Sequence, residues 1–253
     1  MNGVNNAGVH PPFKDFFPQL NSLDLDFGVF AGDTVYASTP TDWDEIDEDL
    51  EDLNMPVHFA VGNHDMHNRE LFVSRYGSTY YSFENSGDLF IVLDSELDRC
   101  NIIGDQLKFL REALDTTRVR NNFIFVHKVL WVAEGTPYYD ALRHEINAGP
   151  GKSAGCDSQF NFWTEIVPML QGLDAQVYIV AGDAGCDWAM SLFYDEFENI
   201  HFIASGMGGA EEENFLIFDV QNGNVQITAH RLDGQSLKLG AVEAYNLEYY
   251  TQP

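Results

Sequence analysis

The chain has 253 residues, 45% of them hydrophobic and 19 of them Phe, enough to bury a sizeable core and too apolar for a disordered segment. With 40 acidic and 13 basic residues it carries a formal net charge of −27, which argues against nucleic acid as a partner and against docking on an anionic membrane. No apolar stretch reaches the roughly 18 to 20 residues that cross a bilayer, and the start, Met1-Asn2-Gly3-Val4-Asn5-Asn6, has neither the basic nor the apolar region of a signal peptide.

The first apolar run, residues 26–31, leads into Gly32-Asp33 and reads as a buried strand. Trp43, Ile46, Leu50 and Leu53 then recur at helical spacing among seven intervening acidic residues, predicting an amphipathic helix over 42–53 with a solvated acidic face. A second strand, 57–61, runs into Gly62-Asn63-His64-Asp65. Residues 80–83 and 89–94 read as adjacent strands joined by a turn, and Leu107, Leu110 and Leu114 predict a helix over 105–114. Phe123-Ile124-Phe125-Val126 ends on His127, and Val177-Tyr178-Ile179-Val180-Ala181 ends on Gly182-Asp183.

Between these last two strands, residues 134–159 are rich in Gly, Tyr and polar residues and are expected to form a long loop over the mouth of a site, with a helix following over 162–173. The Gly-rich stretch Gly206-Met207-Gly208-Gly209 lacks the Lys and Ser/Thr of a phosphate-cradling loop, so a tight turn beside the site is expected there. Asn222-Gly223 between alternating apolar residues 215–220 and 225–230 is a strong hairpin signal. No repeat or low-complexity linker interrupts the chain, so 1–253 is expected to be a single domain. Cys100, Cys156 and Cys186 form no CxxC pair; free thiols are expected, with a Cys156–Cys186 bridge the one pairing considered for an exported protein.

Four apolar runs thus end on residues able to hold a divalent ion, where ligands gather in layered α/β folds. Their order (Gly-Asp, then Gly-Asn-His-Asp, then a strand-end His followed by an apolar and aromatic tail, then a fourth Gly-led motif) resembles the calcineurin-like metallophosphoesterases over roughly residues 24 to 232. The resemblance implies an α/β fold, a four-layer αββα sandwich of mixed sheets with a metal centre at the strand ends. It implies Asp33, Asn63, His127 and Asp183 as metal ligands, His64 as the group that protonates the leaving alkoxide, and Asp65 as its holder.

Two departures stand out. The family opens with Asp-x-His, but here His10 precedes Pro11-Pro12 in a polar segment, so either that strand is missing from the chain or the motif is gone. The family closes with Gly-His-x-His, where this chain has Gly182-Asp183-Ala184-Gly185. One metal site therefore has a full complement, while the other keeps Asp33 with only Asp187 or Cys186 as helpers. A single ion, Mn²⁺, Fe²⁺, Mg²⁺ or Zn²⁺, is expected rather than two. The implied function is hydrolysis of a small phosphomonoester or phosphodiester; the alternative is a catalytically silent relative used for binding or assembly. His67, His144, His201 and His230 show no spacing that demands chemistry. Oligomeric state and location are left open, export included if the N-terminus is truncated.

Overall fold

The computed structural model describes residues 8–116, 118–147, 155–185, 190–208 and 212–252. Helices α1 (Pro11–Lys14) and α2 (Phe17–Ser22) precede strand β1 (Gly28–Ala31), helix α3 (Pro40–Leu50) and strand β2 (Val57–Ala60). Helix α4 (Arg69–Tyr76), strands β3 (Tyr81–Asn85) and β4 (Asp88–Val92), helix α5 (Gly104–Thr116) and strand β5 (Asn121–Val126) follow. Then come α6 (Pro137–Leu142), a π-helical turn (Phe162–Ile166) running into α7 (Val167–Gln171), and β6 (Gln176–Ala181). Strands β7 (Leu192–Phe197), β8 (Ile200–Ser205), β9 (Asn214–Gln221) and β10 (Asn224–Arg231) and the short helix α8 (Leu247–Thr251) complete the order.

Six strands form a mixed sheet in the order β3-β4-β5-β6-β8-β7, with β4, β5, β6 and β8 parallel and the two edges antiparallel. Alternation along each strand sorts its side chains onto two faces. Ile91, Ile124, Ile179 and Phe202 pack under α5, α6 and α7, whereas Phe90, Phe123, Phe125, Tyr178 and Val180 face Val29, Leu216, Phe218 and Ile227 of a second strand layer. The outer face of that layer, Phe30, Phe59 and Phe215, meets Phe13, Phe17, Trp43 and Phe72 from α1–α4. Two strand layers between two helical ones are the expected αββα sandwich.

The second strand layer is two separate pairs, parallel β1–β2 and the antiparallel hairpin β9–β10. Among the described residues β1 and β9 pair on one edge each, and their other edges border an apolar groove of about 590 Å³ lined by Val29, Phe90, Phe123, Leu216 and Phe218.

Helix α3 starts two residues before the expected span and ends at Leu50, with Leu53 buried just beyond it. Its start is fixed by Pro40 in the first turn and by a reciprocal cap. The Thr39 hydroxyl accepts from the Asp42 amide at 3.2 Å, and the Asp42 carboxylate accepts from the Thr39 amide at 2.8 Å.

Two expectations are corrected. Residues 134–159 are not simply a loop over the site: Thr136 caps α6, whose Tyr138 and Leu142, one helical turn apart, are buried with Trp163, Phe193 and Phe202 on the helical side of the six-stranded sheet. The Gly- and Tyr-rich composition hid an aromatic anchor. The thiols are not all free: Cys100 and Cys156 form a disulfide, with Cα atoms 5.0 Å apart. Left-handed backbone at Arg99 and Cys100 folds this loop towards residue 156, and Arg99 bonds Asp157 while Asn101 bonds Asn161 alongside. Cys186, the partner considered for Cys156, lies outside the described residues.

Candidate metal centre

Local sequence explains why four strand ends meet. Gly32 has φ +93°, and a Cβ there would lie 2.4 Å from His127 Nδ1; Gly182 has no room either, because a Cβ would lie 2.0 Å from the Ala31 carbonyl oxygen. Glycine at both positions lets the ends of β1, β5 and β6 touch. Asp33 itself has φ +51°, a conformation Asp tolerates better than most side chains. Beyond Asp183, Gly206 packs against the Ala184 carbonyl, which sets Gly206-Met207-Gly208 beside the centre as expected; Gly209 lies outside the described residues.

Backbone bonds lock the halves. The His127 carbonyl accepts from the amides of Gly182 and Asp183 at 3.0 and 2.8 Å, and Asp33 Oδ1 accepts from the His64 amide at 2.9 Å. His127 Nδ1 donates to the Ala31 carbonyl at 2.9 Å, which leaves Nε2 as the inward nitrogen. That nitrogen is buried, has no hydrogen-bond partner and points at Asp33 Oδ2 at 3.4 Å and Asp183 Oδ1 at 3.6 Å. All three atoms lie within 4.8 Å of one another. An orphaned imidazole nitrogen between two carboxylate oxygens is a donor set that fits a divalent ion.

The charges of these side chains act on one another. Burial alone would raise Asp33, but the charge of His127 beside it holds its carboxyl well below the usual range. Burial disfavours the His127 cation, yet Asp33 and then Asp183 outweigh it and push the imidazole up to about 9.

Of the four expected ligands, the structure brings Asp33, His127 and Asp183 together and gives Asn63 a different partner. Asn63 Oδ1 accepts from Lys128 Nζ at 2.5 Å. The same ammonium reaches Asp183 Oδ2 at 3.4 Å and lies 3.8 Å from Glu96 Oε1, with its side chain only 1% exposed. Burial would pull this lysine down, but Asp183 and Glu96 hold it above its ordinary value. The role of Glu96 escapes the sequence reading, although it sits two residues past Asp94, at the end of a fifth apolar run. Lys128, directly after the strand-end His, reads from the sequence only as a nearby positive charge.

The expected His64–Asp65 pairing is not present. Asp65 is buried and spends its two oxygens on the amides of Val35 and Gly62, at 3.1 and 2.9 Å, so it shapes the turn instead. Burial and the charge of Asp33 push its carboxyl up to about 6. His64 is held by the Tyr36 carbonyl, to which Nδ1 donates at 2.8 Å, with the Tyr36 ring alongside. Arg143, at the end of α6, lies over the Tyr139 ring.

A search of curated proteins finds no match. Among solved structures, GAP50, described as the anchor in the inner membrane complex of Plasmodium, superposes with a TM-score of 0.58 at 15% identity, over 95% of this chain and 84% of that one. At that identity the likeness concerns the fold alone. The family model for calcineurin-like phosphoesterases matches residues 6–162, more than half of the chain. With Asp33, His127 and Asp183 gathered at the strand ends of an αββα sandwich and the family model covering more than half of its length, the chain belongs to the calcineurin-like phosphoesterase family.

Proposed function

We infer that the chain is a metal-dependent phosphoesterase that works with one divalent ion, hydrolysing a small phosphomonoester or phosphodiester. The observation that carries this is the buried Asp33–His127–Asp183 set, whose oxygen, nitrogen and oxygen atoms converge on one point. An ion bound there supplies Lewis-acid polarisation of the phosphoryl group and a more acidic water. The chain's own residues do the rest. Asp33 and Asp183 would balance the charge of an ion held there, and the His127–Ala31 bond fixes the imidazole tautomer that can ligate. His64, half-exposed and anchored through Nδ1, keeps Nε2 as the nitrogen able to pass a proton to a leaving alkoxide. The net charge of −27 repels an anionic ester, so binding depends on the centre's own cations.

The test pairs metal content with turnover of p-nitrophenyl phosphate and bis-p-nitrophenyl phosphate in Mn²⁺. One ion per chain is expected, lost in His127→Ala. His64→Ala is expected to keep the ion and lose roughly 10²- to 10⁴-fold in turnover. Bound ion without turnover of either ester would refute the catalytic reading.

A second reading, a catalytically silent scaffold used for binding or assembly, is favoured by one observation: Asn63 and one oxygen of Asp183 are committed to Lys128. GAP50, an anchor by its description, supports it to the extent that a similar fold can serve assembly.

A further inference from the structure

We propose that Lys128 is a built-in cation that fills a second cation position beside the Asp33–His127–Asp183 set, so that the protein accommodates one exchangeable divalent ion there and not two. The inference rests on the single-ion reading above and deepens it.

Its basis is the division of Asp183. Oδ1 of this carboxylate faces His127 Nε2 and the candidate ion position, while Oδ2 faces Lys128 Nζ at 3.4 Å. Asp183 therefore turns one oxygen toward each of two neighbouring cation positions. Around the second position stand Asn63 Oδ1 at 2.5 Å, Asp183 Oδ2 and Glu96 Oε1 at 3.8 Å. These are oxygen acceptors from three separate strand ends, an amide and two carboxylates, and they are the donor types that hard divalent ions select. The ammonium donates to Asn63 and Asp183 and pairs by charge with Glu96, and it is a point charge that cannot leave.

Burial points the same way. Lys128 is 1% exposed, and a buried ammonium persists only where carboxylates and hydrogen-bond acceptors replace its water. The backbone adds to this: the Lys128 amide donates to Ser95 Oγ at 3.3 Å, and that hydroxyl donates to Glu96 Oε1 at 3.1 Å. The loop after β4 is thereby drawn over the ammonium. A mobile surface lysine reaching for phosphate would show none of these contacts. The arrangement also gives a physical reason for Asn63 to keep its place in the centre without ligating an ion.

The experiment counts ions in the full chain by equilibrium dialysis against Mn²⁺, for wild type, Lys128→Ser and Lys128→Met. Lys128→Ser vacates the position, and it should bind one Mn²⁺ more than wild type. Its melting temperature should fall without ion and recover when Mn²⁺ is added. Lys128→Met fills the same space without charge and should stay at the wild-type count, with no recovery. Equal counts for folded Lys128→Ser and wild type would overturn the proposal, as would two ions in wild type. No ion in wild type and one in Lys128→Ser would defeat the single-ion reading while upholding Lys128 as the resident cation. Should Lys128→Ser not fold, ¹⁵N NMR of wild type decides. The slowly exchanging Lys128 ammonium signal should survive saturation with Zn²⁺, and its release into fast exchange would overturn the proposal.

Discussion

Gly182→Ala places one methyl group where the two strand layers touch. The added Cβ would lie 2.0 Å from the Ala31 carbonyl oxygen and 2.7 Å from the Ala31 carbonyl carbon, both backbone atoms that cannot swing aside. Restoring ordinary contact requires the ends of β1 and β6 to part by roughly 1.4 Å, and the Ala31 carbonyl is the acceptor for His127 Nδ1 at 2.9 Å. Overpacking of this kind costs about 1–3 kcal/mol, and loss of the buried bond adds about 1 kcal/mol. The expected penalty is therefore about 2–4 kcal/mol in urea unfolding at pH 7 with an unchanged m-value. Ion affinity should fall with it, because the His127 ring loses its anchor. Gly172→Ala is the control: φ is −73° and the nearest atom, the Met169 carbonyl oxygen, is already at an ordinary 3.4 Å, so the change should stay within about 0.5 kcal/mol. A loss below about 1 kcal/mol for Gly182→Ala, with ion binding intact, would refute the close approach on which the centre depends.

The metal-free protein should also respond to pH through His127. Its imidazole is raised from 6.5 to about 9 in the fold, so the folded state holds the proton more tightly than the unfolded chain. That stabilisation is fully present below about pH 6.5 and is lost as pH rises through about 9, a change of about 3 kcal/mol that His127→Gln should abolish in a urea series. Excess chelator keeps the series metal-free, and a flat profile between pH 6.5 and 9 would contradict it. Reduction of the disulfide should also be costly. Cys100 and Cys156 are 56 residues apart, and a loop of that size corresponds to about 4 kcal/mol of chain entropy. Calorimetry of Cys100→Ser with Cys156→Ser should therefore show a melting temperature lower by roughly 8–16 °C, and a shift under about 2 °C would count against a constraining crosslink.

Much of the fold was legible because apolar runs of strand length ended on a glycine or, at His127, on a polar residue. The runs before Asp33, Asn63, His127 and Asp183 appear as β1, β2, β5 and β6, and Asn222-Gly223 turns the β9–β10 hairpin. What escaped depends on distance in space. Alternation along a strand says which face a residue takes but not which acceptor waits there, so Lys128 gave no sign that it would lie against Asn63. Asp65 looked like a partner for its neighbour His64, yet side chains next to each other at a turn diverge, and two amides claim it. Cys100 and Cys156 meet through the left-handed kink at Arg99–Cys100, a backbone feature without a spacing signature. The helix α6 was hidden for another reason. Its burial depends on aromatic neighbours from distant strands and not on a repeating pattern of its own.

The β1–β2 pair has no strand partner beyond itself among the described residues, yet it carries Asp33 and Asn63 at its ends. His127, Lys128 and Asp183 belong to the six-stranded sheet. The His127–Ala31, His127–Asp33 and Lys128–Asn63 links therefore cross from one layer to the other, and they act as a rivet through the sandwich where ladder bonds are absent. Amide protons of β1 and β2 should then exchange with solvent sooner than those of β5 and β6. An ion added at Asp33, His127 and Asp183 would slow that exchange across a whole layer, so occupancy of the centre and mechanical cohesion of the fold are one property.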